Sequence, residues 1–151
     1  MSFTGSTLSA NEVRNYLRSK REEEAAKQRA HEEHAHAERE KLREAFMARE
    51  IQPEAMDRVA TVVRRAVDMG DKQALVLRFP SSWLRDQGRA ITNHARNWPD
   101  SLDGFARRAY DFFKRELEPR GFQIKAEIVD WPGGTPGDVG FFLQWKSQEE
   151  I

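Results

Sequence analysis

The sequence contains no cysteine, which excludes both a disulfide framework and thiol chemistry. It also lacks net charge, because 25 Lys and Arg residues balance 25 Asp and Glu residues. A neutral chain has no field to steer it toward nucleic acid or an anionic membrane surface. No apolar run forms a secretory signal or approaches the ~20 residues of a membrane-spanning helix. We therefore expect a cytoplasmic protein that makes no contact with a membrane.

Apolar residues are scarce at the start of the chain and concentrated in the rest of it. Of the 151 residues, 38% are hydrophobic and 33% are charged, which is a charge-rich composition for a globular protein. Residues 9–50 are mainly Glu, Arg, Lys, His and Ala, whereas nearly all Val, Ile, Phe and Trp residues follow Pro53. This division predicts a charged helical arm over residues 1–51, a compact domain over residues 52–146 and a tail over residues 147–151.

The arm begins with a helix-capping signal. Ser9 and Glu12 have the spacing of a capping box, and Leu8 and Val13 have that of a hydrophobic staple. Strong helix formers follow without Pro or Gly to about residue 50, so we predict one long helix. Its apolar residues keep no heptad register, which argues against a stable two-stranded coiled coil. We expect its C-terminal end to be anchored by Leu42, Phe46 and Ile51.

The periodicity of the compact domain predicts the element order α-β-α-α-β-β. We expect its helices from Pro53 to Gly70, from Ser81 or Ser82 to about Asn93, and over residues 102–118. We expect strands over residues 74–79, 122–131 and 139–146, the last two forming an antiparallel hairpin around a turn rich in Pro and Gly. Gly88 either weakens the middle helix or permits a close backbone contact. The fold class is α+β, with three helices on a small sheet in a winged-helix-like element order.

Three side chains of the arm suit a metal ion by type. On a helix, His31, His34 and Glu38 fall at i, i+3 and i+7 and present two nitrogens and an oxygen to Zn²⁺ or Ni²⁺. Their spacing misses the HExxH pattern by one residue, and nothing nearby supplies a dry cavity. We therefore interpret them as part of a solvated charged face and predict no cofactor.

No catalytic motif accompanies the single histidine of the compact domain. A triad can be drawn from Ser81, His94 and Asp100, but no G-x-S-x-G elbow is present. Ser81 is better explained as a helix cap. We therefore predict a protein without enzymatic activity. An enzyme with an unrecognised site built by a dimer is our third hypothesis.

Basic residues on the last helix of the domain support an alternative, nucleic-acid-binding function. In a winged-helix arrangement that helix would enter a major groove, and residues 132–138 would form the wing. Against this, the wing carries no Lys or Arg, ends in Asp138 and belongs to a neutral domain. The residues that would contact nucleic acid are Arg107, Arg108, Lys114 and Arg115.

Aromatic residues outside the predicted core indicate an interaction surface. Strand alternation places Phe142 on the face opposite Phe141, and an exposed apolar patch there requires a partner. The candidate interface residues are Trp98, Val129, Trp131 and Phe142. We therefore predict a non-enzymatic protein–protein interaction module with a helical tether or oligomerisation arm. Its partner would be another protein or a second copy of the chain.

Overall fold

A computed structural model describes residues 5–6 and 8–146, so the predicted tail over residues 147–151 lies outside the described residues. The chain divides into two compact units, Met1–Glu44 and Ala45–Ile151. The second unit thus begins at Ala45, earlier in the chain than Gln52, where the composition predicts the start of the compact domain. Its first residues belong to the last turn of the first helix.

The first helix, α1, spans Ala10–Ala48. The hydroxyl oxygen of Ser9 accepts a hydrogen bond of 3.1 Å from the backbone N–H of Glu12, which confirms the predicted cap. Within α1, every residue of which the structure describes, Phe46 alone is buried. Leu42, which we expected to anchor the helix, remains 62% exposed. The apolar anchor of α1 is therefore confined to its last turn, which belongs to the second unit.

The second helix, α2, spans Ala55–Asp68, and Met69 forms its C-cap. Gly70, the stop that the sequence predicts, follows directly. Gly70 has φ of +80°, a conformation that costs glycine little. The N–H of Asp71 reaches back to the carbonyl of Ala66 at 2.9 Å, closing the helix end. The predicted stop at Gly70 is thus confirmed.

The third helix, α3, is shorter than predicted, because it spans only Arg89–Thr92. The residues expected to begin it form a separate 3₁₀ turn, Ser81–Trp83. Gly88 interrupts the helix with φ of +78°. Both carboxylate oxygens of Asp86 then accept backbone N–H groups at 2.9 Å, from Gly88 and Ala90. A left-handed residue and a competing side-chain cap therefore prevent one continuous helix.

The fourth helix, α4, spans Gly104–Phe112 and follows a 3₁₀ turn, Trp98–Ser101. It continues as a π-helical segment, Phe113–Leu117, and ends in a 3₁₀ turn, Glu118–Arg120. Phe113 and Leu117 are both buried, in a cluster with Leu143. The wider π turn thus accompanies two large side chains that point into the core.

The sheet contains three antiparallel strands: β1 is Gln73–Pro80, β2 is Gln123–Ile128 and β3 is Asp138–Gln144. Their order is β1-β3-β2, so β3 lies in the centre. The register of β2 against β3 confirms the predicted antiparallel hairpin. The register of β1 against β3 shifts between Leu75 and Leu77. The predicted α+β class is therefore confirmed.

The core lies between the helices and one face of the sheet. Phe46 packs against Phe79, Trp83 and Phe105, with ring centroids 5.2, 4.9 and 5.8 Å away. Val139, Phe141 and Leu143 of β3 are buried against the helices. Among the described helices, none has the length and apolar content needed to cross a bilayer.

Candidate functional site

Three apolar side chains converge on the sheet face opposite the core. Gly140 lies between the buried Val139 and Phe141 and faces the other way. A Cβ atom at Gly140 would lie 2.6 Å from Val129 Cγ1, 2.9 Å from Leu75 Cδ1 and 3.0 Å from Phe142 Cε2. These three side chains therefore cover Gly140 from three directions. We call Leu75, Val129 and Phe142 the outer-face cluster.

Strand pairing brings the cluster together. Leu75 of β1 stands directly opposite Phe142 of β3, and Lys125 of β2 stands opposite Phe142 on its other side. Val129 extends the hairpin beyond β2, since its N–H donates to the carbonyl of Asp138 at 2.9 Å. Phe142 and Val129 are half-buried, and Leu75 is 39% exposed. The sequence predicted Val129 and Phe142 for this face but missed Leu75.

Leu75 was missed because it belongs to a continuous apolar run, which carries no alternation to mark its faces. The shift in register after Leu75 also disturbs the simple period of two along β1. The sequence contained one indirect signal for Leu75. Phe142 is predicted to be exposed, so the residue of the first strand that pairs with it must share that face.

The charged side chains around the cluster form ion pairs with one another. Arg78 Nε lies 2.8 Å from Asp138 Oδ2, and Arg78 Nη2 lies 3.5 Å from Asp130 Oδ2. The hydrogen bond to Asp138 raises the pKa of Arg78 above its ordinary value. On β2, Lys125 Nζ lies 3.1 Å from Glu127 Oε2. The border of the cluster is therefore polar but carries little unpaired charge.

The hairpin tip that carries Trp131 is held by its own hydrogen bonds. The Asp130 carboxylate accepts the N–H of Asp138 at 2.6 Å, and the Asp130 carbonyl accepts the N–H of Gly137 at 3.0 Å. The N–H of Gly134 donates to the carbonyl of Trp131 at 3.1 Å. Trp131 is 53% exposed. The tip thus exposes a large aromatic side chain on a turn that is held by hydrogen bonds.

Trp98, the fourth predicted interface residue, lies apart from the cluster. Its ring packs edge-on to Tyr110 at 5.4 Å and tilts against Phe141 at 5.7 Å between centroids. Phe141 belongs to the core face of the sheet, so Trp98 lies on that side. Trp98 also lines an open groove with Arg96 and Phe122. The structure therefore separates Trp98 from Val129 and Phe142.

All four basic residues considered for nucleic-acid binding form an ion pair, three of them with a residue at most four positions away. Arg107 Nε lies 3.4 Å from Asp111 Oδ1, and Arg115 Nε lies 3.2 Å from Glu116 Oε1. Lys114 Nζ lies 2.7 Å from a carboxylate oxygen of Glu118. This hydrogen bond raises the pKa of Lys114 above its ordinary value.

The fourth, Arg108, has a structural partner. Its Nη1 donates to the carbonyl oxygens of Met47 at 2.8 Å and Arg49 at 3.0 Å. Its Nε lies 3.5 Å from Glu50 Oε1. Carbonyls at a helix C-terminus lack partners within the helix, so Arg108 caps the end of α1.

The remaining sequence candidates are not gathered into a site. In the described part of the chain, no group of three or more His, Cys, Asp or Glu side chains is placed to hold a metal ion, and this includes His31, His34 and Glu38. Glu38 Oε1 instead lies 3.5 Å from Lys41 Nζ. Ser81 is buried, and its hydroxyl donates to the carbonyl of Pro136 at 3.4 Å. His94 is exposed, with φ of +53°.

Comparison with known proteins gave no match: no family model fits the chain, and no curated protein or solved structure is significantly similar to it. The candidate site is therefore defined by the structure alone. It consists of the outer-face cluster and the exposed Trp131.

Proposed function

We propose that the chain is a non-enzymatic protein–protein interaction module, with the outer-face cluster and Trp131 as its contact surface. The observation that supports this most is the convergence of Leu75, Val129 and Phe142 over Gly140, on the sheet face opposite the core. Partly exposed apolar side chains grouped in this way mark interaction surfaces more often than scattered ones do. Trp131 adds a residue type that is enriched at the energetic centres of interfaces.

The small size of the cluster favours a weak, reversible contact. A stable interface typically buries about 800 Å² on each partner, from roughly 20–30 residues. The three clustered side chains supply only the centre of such a patch, and Trp131 adds one exposed aromatic side chain on the hairpin tip. We therefore propose a transient partner, held mainly by these apolar residues.

The charges around the cluster define the chemistry of that partner. Arg78 is already paired with Asp138 and Asp130, and Lys125 with Glu127. Paired charges leave little field to select a strongly charged surface. The partner that fits is another protein with an apolar protrusion and little net charge.

Helix α1 serves in this proposal as a tether. It is rich in charge, and apart from Phe46 none of its residues, all within the described chain, is buried. A helix without an apolar face gains little from association with its own kind. We propose that α1 keeps the interaction module at a distance from the molecule that the N-terminal part of α1 contacts.

Nucleic-acid binding is the weaker candidate. All four of its residues are engaged with carboxylates, and Arg108 also caps α1. Binding phosphates with these groups would require breaking existing pairs, which reduces the gain from releasing counterions.

The test is an affinity capture from nuclease-treated lysate of the native host, using the full chain and matched variants. Trp131→Ser and Phe142→Ser alter the proposed surface. Met69→Ser is the control, because Met69 is 79% exposed near the end of α2. Circular dichroism of each variant establishes that it is folded.

We expect the unaltered chain and Met69→Ser to retain the same protein, and both surface variants to lose it. Equal capture by all four chains would place the contact elsewhere and contradict the proposal. Recovery of nucleic acid, without protein, when the nuclease is omitted would favour the alternative.

A further inference from the structure

A cavity of about 190 Å³ lies within the second unit, on the core side of the sheet. Its walls come from α2, from α4 with its π-helical segment, and from the core-facing residues of all three strands. Most of its lining is aliphatic or aromatic, with Val59, Ala109, Phe113 and Ile124 as examples. The cavity is separate from the outer-face cluster, which lies on the opposite face of the sheet.

Two arginines line the cavity where it meets solvent. Arg49 and Arg58 are both exposed residues, so the opening lies on their side. The Arg49 guanidinium carbon lies 4.1 Å from the centroid of the Phe105 ring, and Phe105 also lines the cavity. This cation–π contact holds a positive charge beside an apolar wall.

Neither arginine at this opening forms an ion pair within the part of the chain that the structure describes. Among the described residues, no Asp or Glu lines the cavity, and no carboxylate forms an ion pair with Arg49 or Arg58. Glu50, adjacent to Arg49 in the sequence, is paired with Arg108 instead. An apolar cavity lined by two arginines that form no ion pair in the described chain is complementary to a molecule with an apolar body and one anionic end.

We propose that this cavity binds a small monocarboxylate with a single aromatic ring, the carboxylate lying between Arg49 and Arg58. The volume fits this class, since an engineered apolar cavity of about 150 Å³ takes up benzene. Guanidinium groups bind carboxylates through charge-assisted hydrogen bonds, which fix the orientation of the ring in the cavity. This inference does not depend on the proposed interaction surface.

The test uses benzoate and its neutral analogue benzyl alcohol, each titrated into the full chain with saturation-transfer NMR as the readout. Arg58→Gln removes one charge from the opening. Arg64→Gln is the matched control, because Arg64 is another exposed arginine of α2 and does not line the cavity. Ala109→Met fills the apolar part while leaving both arginines in place.

We expect saturable binding of benzoate, about tenfold weaker in Arg58→Gln and unchanged in Arg64→Gln. Ala109→Met should abolish it while the variant keeps its circular dichroism spectrum. Binding of benzyl alcohol as tight as that of benzoate would overturn the role of the arginines. Absence of saturable benzoate binding, or its persistence in a folded Ala109→Met, would overturn the site itself.

Discussion

Arg108 Nη1 lies 2.8 Å from the carbonyl oxygen of Met47, so a side chain of α4 closes the end of α1. The same nitrogen reaches the carbonyl of Arg49 at 3.0 Å. Next to this contact, a Cβ atom at Gly104 would lie 2.8 Å from Met47 Cα, which requires the absence of a side chain there. The last turn of α1 is therefore fixed on the N-terminal part of α4 by both polar and steric complementarity.

Replacing Arg108 with Met should lower the free energy of unfolding by about 1–2 kcal/mol. The variant keeps the apolar stem of the side chain but leaves two carbonyl groups without their charged donor. Urea unfolding followed by circular dichroism measures the change. Arg115→Met is the control, since Arg115 forms a surface ion pair with the adjacent Glu116 and lies 5.9 Å from the centroid of the Phe112 ring, and a loss below about 1 kcal/mol is expected. Equal losses in the two variants would contradict the capping role.

Replacing Phe46 with Ala should lower the free energy of unfolding by about 3–5 kcal/mol, because Phe46 is buried among three aromatic rings. Leu42→Ala, one turn earlier and 62% exposed, should change it by less than about 0.5 kcal/mol. Thermal unfolding of the full-length variants compares them directly. A chain that begins at Gln52 should be destabilised at least as much as Phe46→Ala. Full stability of that shorter chain would show that Phe46 is not part of the core.

Replacing Gly88 with Ala should cost about 2–4 kcal/mol. The residue would have to adopt φ of +78°, and its Cβ would lie 2.9 Å from Ser81 Cβ. Gly70→Ala is a matched comparison, because Gly70 has φ of +80° but meets nothing within 4 Å. Its cost should be confined to about 1–2 kcal/mol for the left-handed backbone. The difference between the two, from urea unfolding, isolates the contact with Ser81, and a difference near zero would rule that contact out.

Lys114 should lose its proton at a higher pH than an ordinary lysine, because its hydrogen bond to Glu118 raises its pKa. Since the pKa is raised in the folded state, the contribution of the pair to stability is complete at neutral pH. It is lost only as the pH rises through the folded-state pKa. NMR titration of the Lys114 side chain at alkaline pH measures the shift. Glu118→Gln should reduce it, whereas Glu116→Gln should leave it unchanged; a shift insensitive to Glu118→Gln would contradict the assignment.

Local signals in the sequence determined the start of α1, the end of α2 and the hairpin. The Ser9 cap, the Gly70 stop and the pairing of β2 with β3 depend on neighbouring residues and on strand alternation, which the sequence displays directly. For the same reason, two of the site residues were predictable. Val129 and Phe142 lie on the face opposite Phe141 because successive side chains of a strand alternate.

Contacts between distant residues were decided only by the tertiary structure. Leu75 joins the outer-face cluster because β1 pairs with β3, and Trp98 leaves it because it packs against Tyr110 and Phe141. Arg108 caps the end of α1 although it lies about 60 residues further along the chain. Phe46 packs in the core, so the second unit begins at Ala45. None of these contacts has a local period or a fixed spacing. They follow from strand pairing and from the packing of helices onto one face of the sheet, which sequence patterns near each residue do not encode.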